Sequence, residues 1–143
     1  METLSIEKSP PLPSIKDIMA IEKQFGISIP PQLQEIYLAY NPMYLKKRKV
    51  LANGIRYTLH GFDPIRREEK PNLASTYEHL GWFFEDKFLP FAWDEGGWLF
   101  VIGIQEGNYG KVYFCRMDKE LKDATTLLAD SLFEFLAKMV VED

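Results

Sequence analysis

A chain of 143 residues and 16.6 kDa suits one domain, and a domain of this size buries roughly two-thirds of its unfolded surface without covalent staples. Its 46% hydrophobic and 27% charged residues exclude a disordered or collagenous chain, and its net charge of −4 argues against a nucleic-acid-binding domain. One cysteine, Cys115, excludes an internal disulfide and a cysteine-built zinc cage; no apolar run nears the roughly 18–20 residues that span a bilayer.

Residues 1–13, ending in Pro10-Pro11-Leu12-Pro13, read as a lead-in without the basic start and apolar stretch of a secretory signal, so a cytoplasmic address is expected. Ser14 offers a helix N-cap, Asp17 a capping-box carboxylate and Gly26 a helix stop. Ile15, Ile18, Met19 and Phe25 fall near helical spacing between them. Pro31 is pre-set for the first turn of a second helix. Leu33, Ile36, Tyr37 and Tyr40 follow the helical template up to Asn41-Pro42.

Charge is uneven along the chain. Residues 44–71 carry eight basic and three acidic side chains, concentrated in Lys46-Lys47-Arg48-Lys49 and Arg66-Arg67. No aromatic residues interleave with the lysine run, so a solvated loop is expected there. Residues 72–143 carry six basic and thirteen acidic side chains, a surface suited to steering a basic partner.

After the basic run the period becomes two: Ile55, Tyr57 and Leu59 alternate with Arg56, Thr58 and His60, as in a half-buried strand. Residues 63–73 read as a loop. Residues 76–84 favour helix before Gly81, followed by the aromatic cluster Trp82-Phe83-Phe84. Residues 88–93 suit a strand, with Pro90 making it an edge or a bulged one. Residues 98–104 are continuously apolar and too short for a typical helix, hence a central strand. Gly107-Asn108-Tyr109-Gly110 is turn chemistry leading into a hairpin partner at residues 111–116. Ser131 and Glu134 form a capping box before Leu132, Phe135, Leu136, Met139 and Val140 at helical spacing. The expected fold is α+β: two N-terminal helices, a mostly antiparallel twisted sheet of about four to six strands, and a C-terminal helix packed on the sheet, in a single domain.

Catalytic chemistry is sparse. His60 and His79 stand in separate elements and in no metal-binding spacing, and no nucleophile elbow or phosphate loop is present. Cys115 lies mid-strand, the position of a small buried hydrophobe. The carboxylate pairs Glu68-Glu69, Glu85-Asp86 and Asp94-Glu95 read first as turn residues. In Asp94-Glu95-Gly96-Gly97, between Trp93 and Trp98, the glycines permit a tight reversal. Trp82, Trp93, Trp98 and Tyr109 flank expected loops and suit an interface where several share an exposed face. No catalytic residue, cofactor or metal ligand is assigned. A hydrolase using carboxylates or Cys115 is the least favoured reading.

Three stretches together resemble the SUKH superfamily, in the branch typified by the fungal cell-wall synthesis regulator. They are Ile21-Glu22 through Phe25-Gly26-Ile27, Ile29-Pro30-Pro31-Gln32-Leu33, Tyr37-Leu38 and Asn41; then the run from Phe88 to Trp98; then Gly110–Phe114 followed by Ala129-Asp130-Ser131-Leu132-Phe133-Glu134-Phe135-Leu136. The likeness runs from about Ser14 to Met139. It departs at Pro42 and Gly103, where the family usually has glycine and frequently aspartate, and at Trp98, where a polar residue is common. The resemblance implies a non-enzymatic binding domain: in bacteria mostly immunity proteins that neutralise a cognate toxin, often a nuclease, and in fungi scaffolds of cell-wall and signalling control. The leading expectation is an immunity protein that covers a basic toxin through acidic and aromatic loops, with contacts at Glu85, Asp86, Asp94, Glu95, Trp98, Glu106 and Tyr109. The alternative is a scaffold or regulatory module with no toxin partner.

Overall fold

Ser14 and Asp17 close a capping box at the start of α1 (Ile15–Phe25): the Ser14 N–H donates to the Asp17 carboxylate at 2.7 Å. Gly26, in the left-handed region at φ 66°, ends the helix and returns its N–H to Glu22. The computed structural model describes residues 12–40, 48–65 and 71–141. Residues 1–11, Asn41-Pro42, Lys46-Lys47, Arg66-Arg67 and Glu68-Glu69 lie outside the described residues, as does the Arg48 side chain. The buried stripe of α1 is Ile18 and Ile21, with Phe25 half-buried. Ile15 and Met19, expected to face the core, stay exposed, because Ile21 takes the inward position instead. The second helix, α2 (Pro31–Tyr40), buries Leu33, Ile36 and Tyr37 in the same core.

Strands β1 (Arg48–Ala52) and β2 (Ile55–Phe62) form a hairpin around Asn53-Gly54, both with positive φ, as a two-residue turn of this type requires. Then follow α3 (Leu73–Phe84), β3 (Phe88–Asp94), β4 (Leu99–Gly103), β5 (Val112–Cys115), a single turn α4 (Leu121–Ala124), β6 (Thr125–Ala129), α5 (Leu132–Ala137) and β7 (Met139–Val141). All pairings are antiparallel, in the order β6-β5-β4-β3-β2-β1-β7. The α+β class holds, with seven strands in the sheet. Pro90 sits in a central strand and is accommodated by a bulge between Pro90 and Ala92, the second of its two expected placements.

Three local expectations give way. Gly81 does not end α3, which starts at Leu73 with Asn72 as its cap, its side chain accepting from the Ser75 N–H at 2.8 Å. The basic run does not stay loop throughout, since Arg48 and Lys49 open β1. Met139 and Val140 belong to β7 rather than to the C-terminal helix, which stops after Ala137.

The β7 pairing shows that the sheet is curled. In a flat sheet β6 and β7 would lie six strand spacings apart, roughly 29 Å. The chain from Ala129 to Met139, with α5 inside it, reaches only about 23 Å. The sheet must therefore bend as well as twist, which brings the two edges toward each other. Accordingly, Asn53 in the β1–β2 turn donates its side-chain amide to the Leu127 carbonyl of β6 at 2.9 Å. On one face of the sheet Leu89, Phe91, Phe100, Ile102, Val112 and Leu128 meet α1, α2 and α5. On the other, Phe88, Leu99, Val101 and Cys115 meet Phe84 of α3 with Leu121 and Ala124 of α4.

One buried carboxylate marks the β2–α3 junction. Asp63 is 6% exposed, its N–H donates to the Phe91 carbonyl at 2.8 Å, and its carbonyl accepts from the Tyr37 hydroxyl at 2.6 Å. Burial pushes its carboxyl up to about 6, against the opposing effect of a hydrogen bond from the Thr76 side chain. A raised native pKa means that the folded state holds the proton longer than the unfolded state, so stability contributed by this group falls as pH rises from about 4 to about 6. Asp63→Asn is expected to remove about 2 kcal/mol of that decline, read as the difference in denaturant stability between pH 4 and pH 7. An unchanged pH profile in the variant would refute the assignment.

Candidate functional site

Antiparallel alternation gathers the β1–β2 turn, the β3–β4 turn and the end of β5 at one end of the sheet. The β3–β4 turn is held by Asp94, whose Oδ1 accepts from the Gly96 N–H at 2.9 Å and the Trp98 N–H at 2.8 Å. The Asp94 N–H donates to the Trp98 carbonyl at 2.8 Å, and Gly97 takes φ 91° to complete the reversal. The carboxylate thus holds Trp98 in place from inside the turn, and Glu95 is exposed on it.

The half-buried Trp98 packs against the main core, and the Arg116 guanidinium lies over its ring, 5.9 Å from the centroid. Arg116 also pairs with Asp118 at 3.2 Å. Beside them the Tyr57 and Phe114 rings meet at 4.7 Å. Arg56, Tyr57, Phe114 and Arg116 line an open groove of about 320 Å³ together with Asp94, Glu95 and Trp98. Its aromatic floor and mixed charges suit a protein surface carrying both apolar and charged side chains. Sequence reasoning passes over Arg56, Tyr57, Phe114 and Arg116 as site residues. Their signal is the two-residue period, which puts 114 and 116 on one face of β5 and its continuation.

The remaining four candidates sit at the opposite end of the sheet. Glu85 and Asp86 reverse the chain from α3 into β3 with φ of 52° and 60°. Asp86 accepts from the Tyr77 hydroxyl at 3.2 Å; burial, then the charge and hydrogen bond of Asp86, push that phenol up to about 12. Glu85 forms a loose, exposed pair with Lys87 at 3.9 Å. Glu106 and Tyr109 stand on the β4–β5 turn, where the Tyr109 and Ser28 hydroxyls share a hydrogen bond of 2.9 Å that ties the turn to the α1–α2 connection. The seven expected contacts therefore form two groups: Asp94, Glu95 and Trp98 at one end, and Glu85, Asp86, Glu106 and Tyr109 at the other.

Groups with nucleophilic or ligating chemistry do not converge among the described residues. Cys115 is buried in the smaller core, and desolvation pushes its thiol up to about 11. The thiol stays protonated at pH 8, so alkylation by iodoacetamide is expected to be at least tenfold slower in the native protein than in urea; equal rates would refute its burial. His60 meets the Trp93 ring edge-on at 5.5 Å, while His79 is exposed on α3. No cluster of three metal-binding side chains and no helix long and apolar enough to cross a membrane occur among the described residues.

A sequence model of the SMI1 / KNR4 family (SUKH-1) matches residues 12–138, nearly the whole chain and every element up to α5. No curated protein matches the chain.

Proposed function

The chain belongs to the SMI1 / KNR4 family (SUKH-1), and from that membership we propose that it is a non-enzymatic protein-binding domain: a cytoplasmic immunity protein that neutralises a basic toxin by direct contact. The observation that carries this reading is the β3–β4 turn. There a clamped Asp94 presents Glu95 and Trp98 beside the aromatic floor of the groove. A rigid turn loses little conformational freedom on binding, and aromatic residues dominate interface energetics. A lysine or arginine of the partner meets Glu95, and an apolar side chain meets Trp98. The chemistry of the remaining groups agrees, since Asp94 is committed to the turn and the Cys115 thiol is held protonated.

Glu95→Lys and Trp98→Ala are expected to weaken partner binding by tenfold or more while the domain stays folded, measured by titration calorimetry and circular dichroism. The biological test is expression of the neighbouring gene in a host with and without this chain. Immunity predicts death only in its absence. The second reading, a scaffold or regulator, draws on the regulators that the family includes, and it predicts survival in both cases.

A further inference from the structure

An open hollow of about 820 Å³ lies away from that groove, on the opposite face of the sheet between the end of α3 and α4. Trp82 stands at its wall with 76% of its surface exposed, and its ring meets Phe83 edge-on at 5.8 Å. Phe88 and Leu121 supply an apolar floor. A tryptophan this exposed beside an apolar floor leaves a large area uncovered, the pattern of an interface anchor.

Charge at the rim is selective. Residues 72–143 contain only six basic side chains against thirteen acidic ones, yet Lys87, Lys119 and Lys122 all line this one hollow. Lys87 and Lys122 make only loose exposed contacts, to Glu85 at 3.9 Å and Glu120 at 3.8 Å. Such pairs hold their ammonium groups weakly. Lys119 has no carboxylate in ion-pair range among the described residues. Three ammonium groups at the rim complement carboxylates, and the apolar floor of Phe88 and Leu121 between them suits the anchor side chain of a protein segment, which a phosphate backbone does not supply.

We propose that this hollow docks an acidic segment of a partner protein, its aromatic or aliphatic anchor side chain laid against Trp82 and its carboxylates facing Lys87, Lys119 and Lys122. The surface is separate from the Glu95–Trp98 groove and stands whether or not the partner there is a toxin. It gives the domain two faces of different charge preference, so that one partner reaches around it or two bind at once.

The test uses the full chain, isotopically labelled, titrated at low salt with three probes. These are a twelve-residue peptide of Asp and Glu bearing one Phe and one Leu, the same peptide with every acid replaced by Lys, and a twelve-nucleotide oligothymidylate. The acidic peptide is expected to bind at least tenfold more tightly than either other probe and to shift the Trp82 indole N–H signal. Trp82→Ala and Lys119→Glu are each expected to weaken it, by about tenfold and severalfold respectively; Trp82 is exposed enough for the alanine variant to fold normally. No binding by the acidic peptide, equal binding of the lysine peptide, preference for the oligonucleotide, or shifts confined to residues away from α3 and α4 would each overturn the proposal.

Discussion

Gly103→Ala is expected to destabilise the domain by about 3 kcal/mol, measured as a lower midpoint of denaturant unfolding with an unchanged slope. Gly103 ends β4 and is fixed on both sides: its N–H donates to the Lys111 carbonyl at 2.9 Å, and its carbonyl accepts from the Gly110 N–H at 3.0 Å. A Cβ added there would run into the backbone carbonyl of Asn108. Asn108 has little room to retreat. Its Oδ1 accepts from the Gln105 N–H at 3.0 Å, its Nδ2 donates to the Lys87 carbonyl at 3.1 Å, and its own carbonyl accepts from the Lys111 N–H at 3.0 Å. The clash falls on backbone and must be relieved by moving the whole β4–β5 turn. A loss below about 1 kcal/mol would show that the turn yields easily and that the close approach does not constrain this position.

Asp94→Ala is expected to lower stability by about 3 kcal/mol and to abolish partner binding at the groove. Two backbone N–H groups donate to its Oδ1, and hydrogen bonds to a charged acceptor are worth roughly 1.5–3 kcal/mol each. The Trp98 N–H is partly buried, so losing its acceptor leaves an unsatisfied donor as well as a loosened tryptophan. Asp94→Asn keeps a carbonyl oxygen in the same place and is expected to cost less, about 1 kcal/mol. Glu95→Lys, on the exposed side of the turn, stays within about 1 kcal/mol of wild type while reversing the charge offered to a partner. These variants separate the two roles within one dipeptide: Asp94 holds the turn, and Glu95 is the proposed contact. Equal loss of stability in Asp94→Ala and Glu95→Lys would contradict that division.

Where the fold is legible in the sequence, the signal is local. Ser14, Asp17 and Gly26 mark both ends of α1 through groups that satisfy the helix's own termini. The apolar run 99–103 announces a strand buried on both faces. What escapes depends on distant partners. Strand β7 continues the helical spacing of α5, yet Met139–Val141 pair with β1, some ninety residues earlier in the chain, and no local pattern reports that. Gly81 suggests a break but rests inside α3, where even an added Cβ would meet the Tyr77 ring only at ordinary contact distance. Strand β1 hides within a charge run, although Asn53-Gly54 is a hairpin signal of the stronger kind. The site divides in the same way. Asp94, Glu95 and Trp98 are close in sequence and meet in the fold. Arg56, Tyr57, Phe114 and Arg116 join them only because the sheet brings β2 and β5 to the same end.

The central claim is that the domain acts by covering another protein through the Glu95–Trp98 groove. Its most direct measurement is titration of the purified chain into the protein encoded beside it, with the activity of that protein followed in the same samples. A stoichiometric complex that silences the partner, weakened tenfold or more by Glu95→Lys and by Trp98→Ala, is the predicted result. A partner that stays fully active at saturating chain, or variants that bind as wild type does, would contradict it.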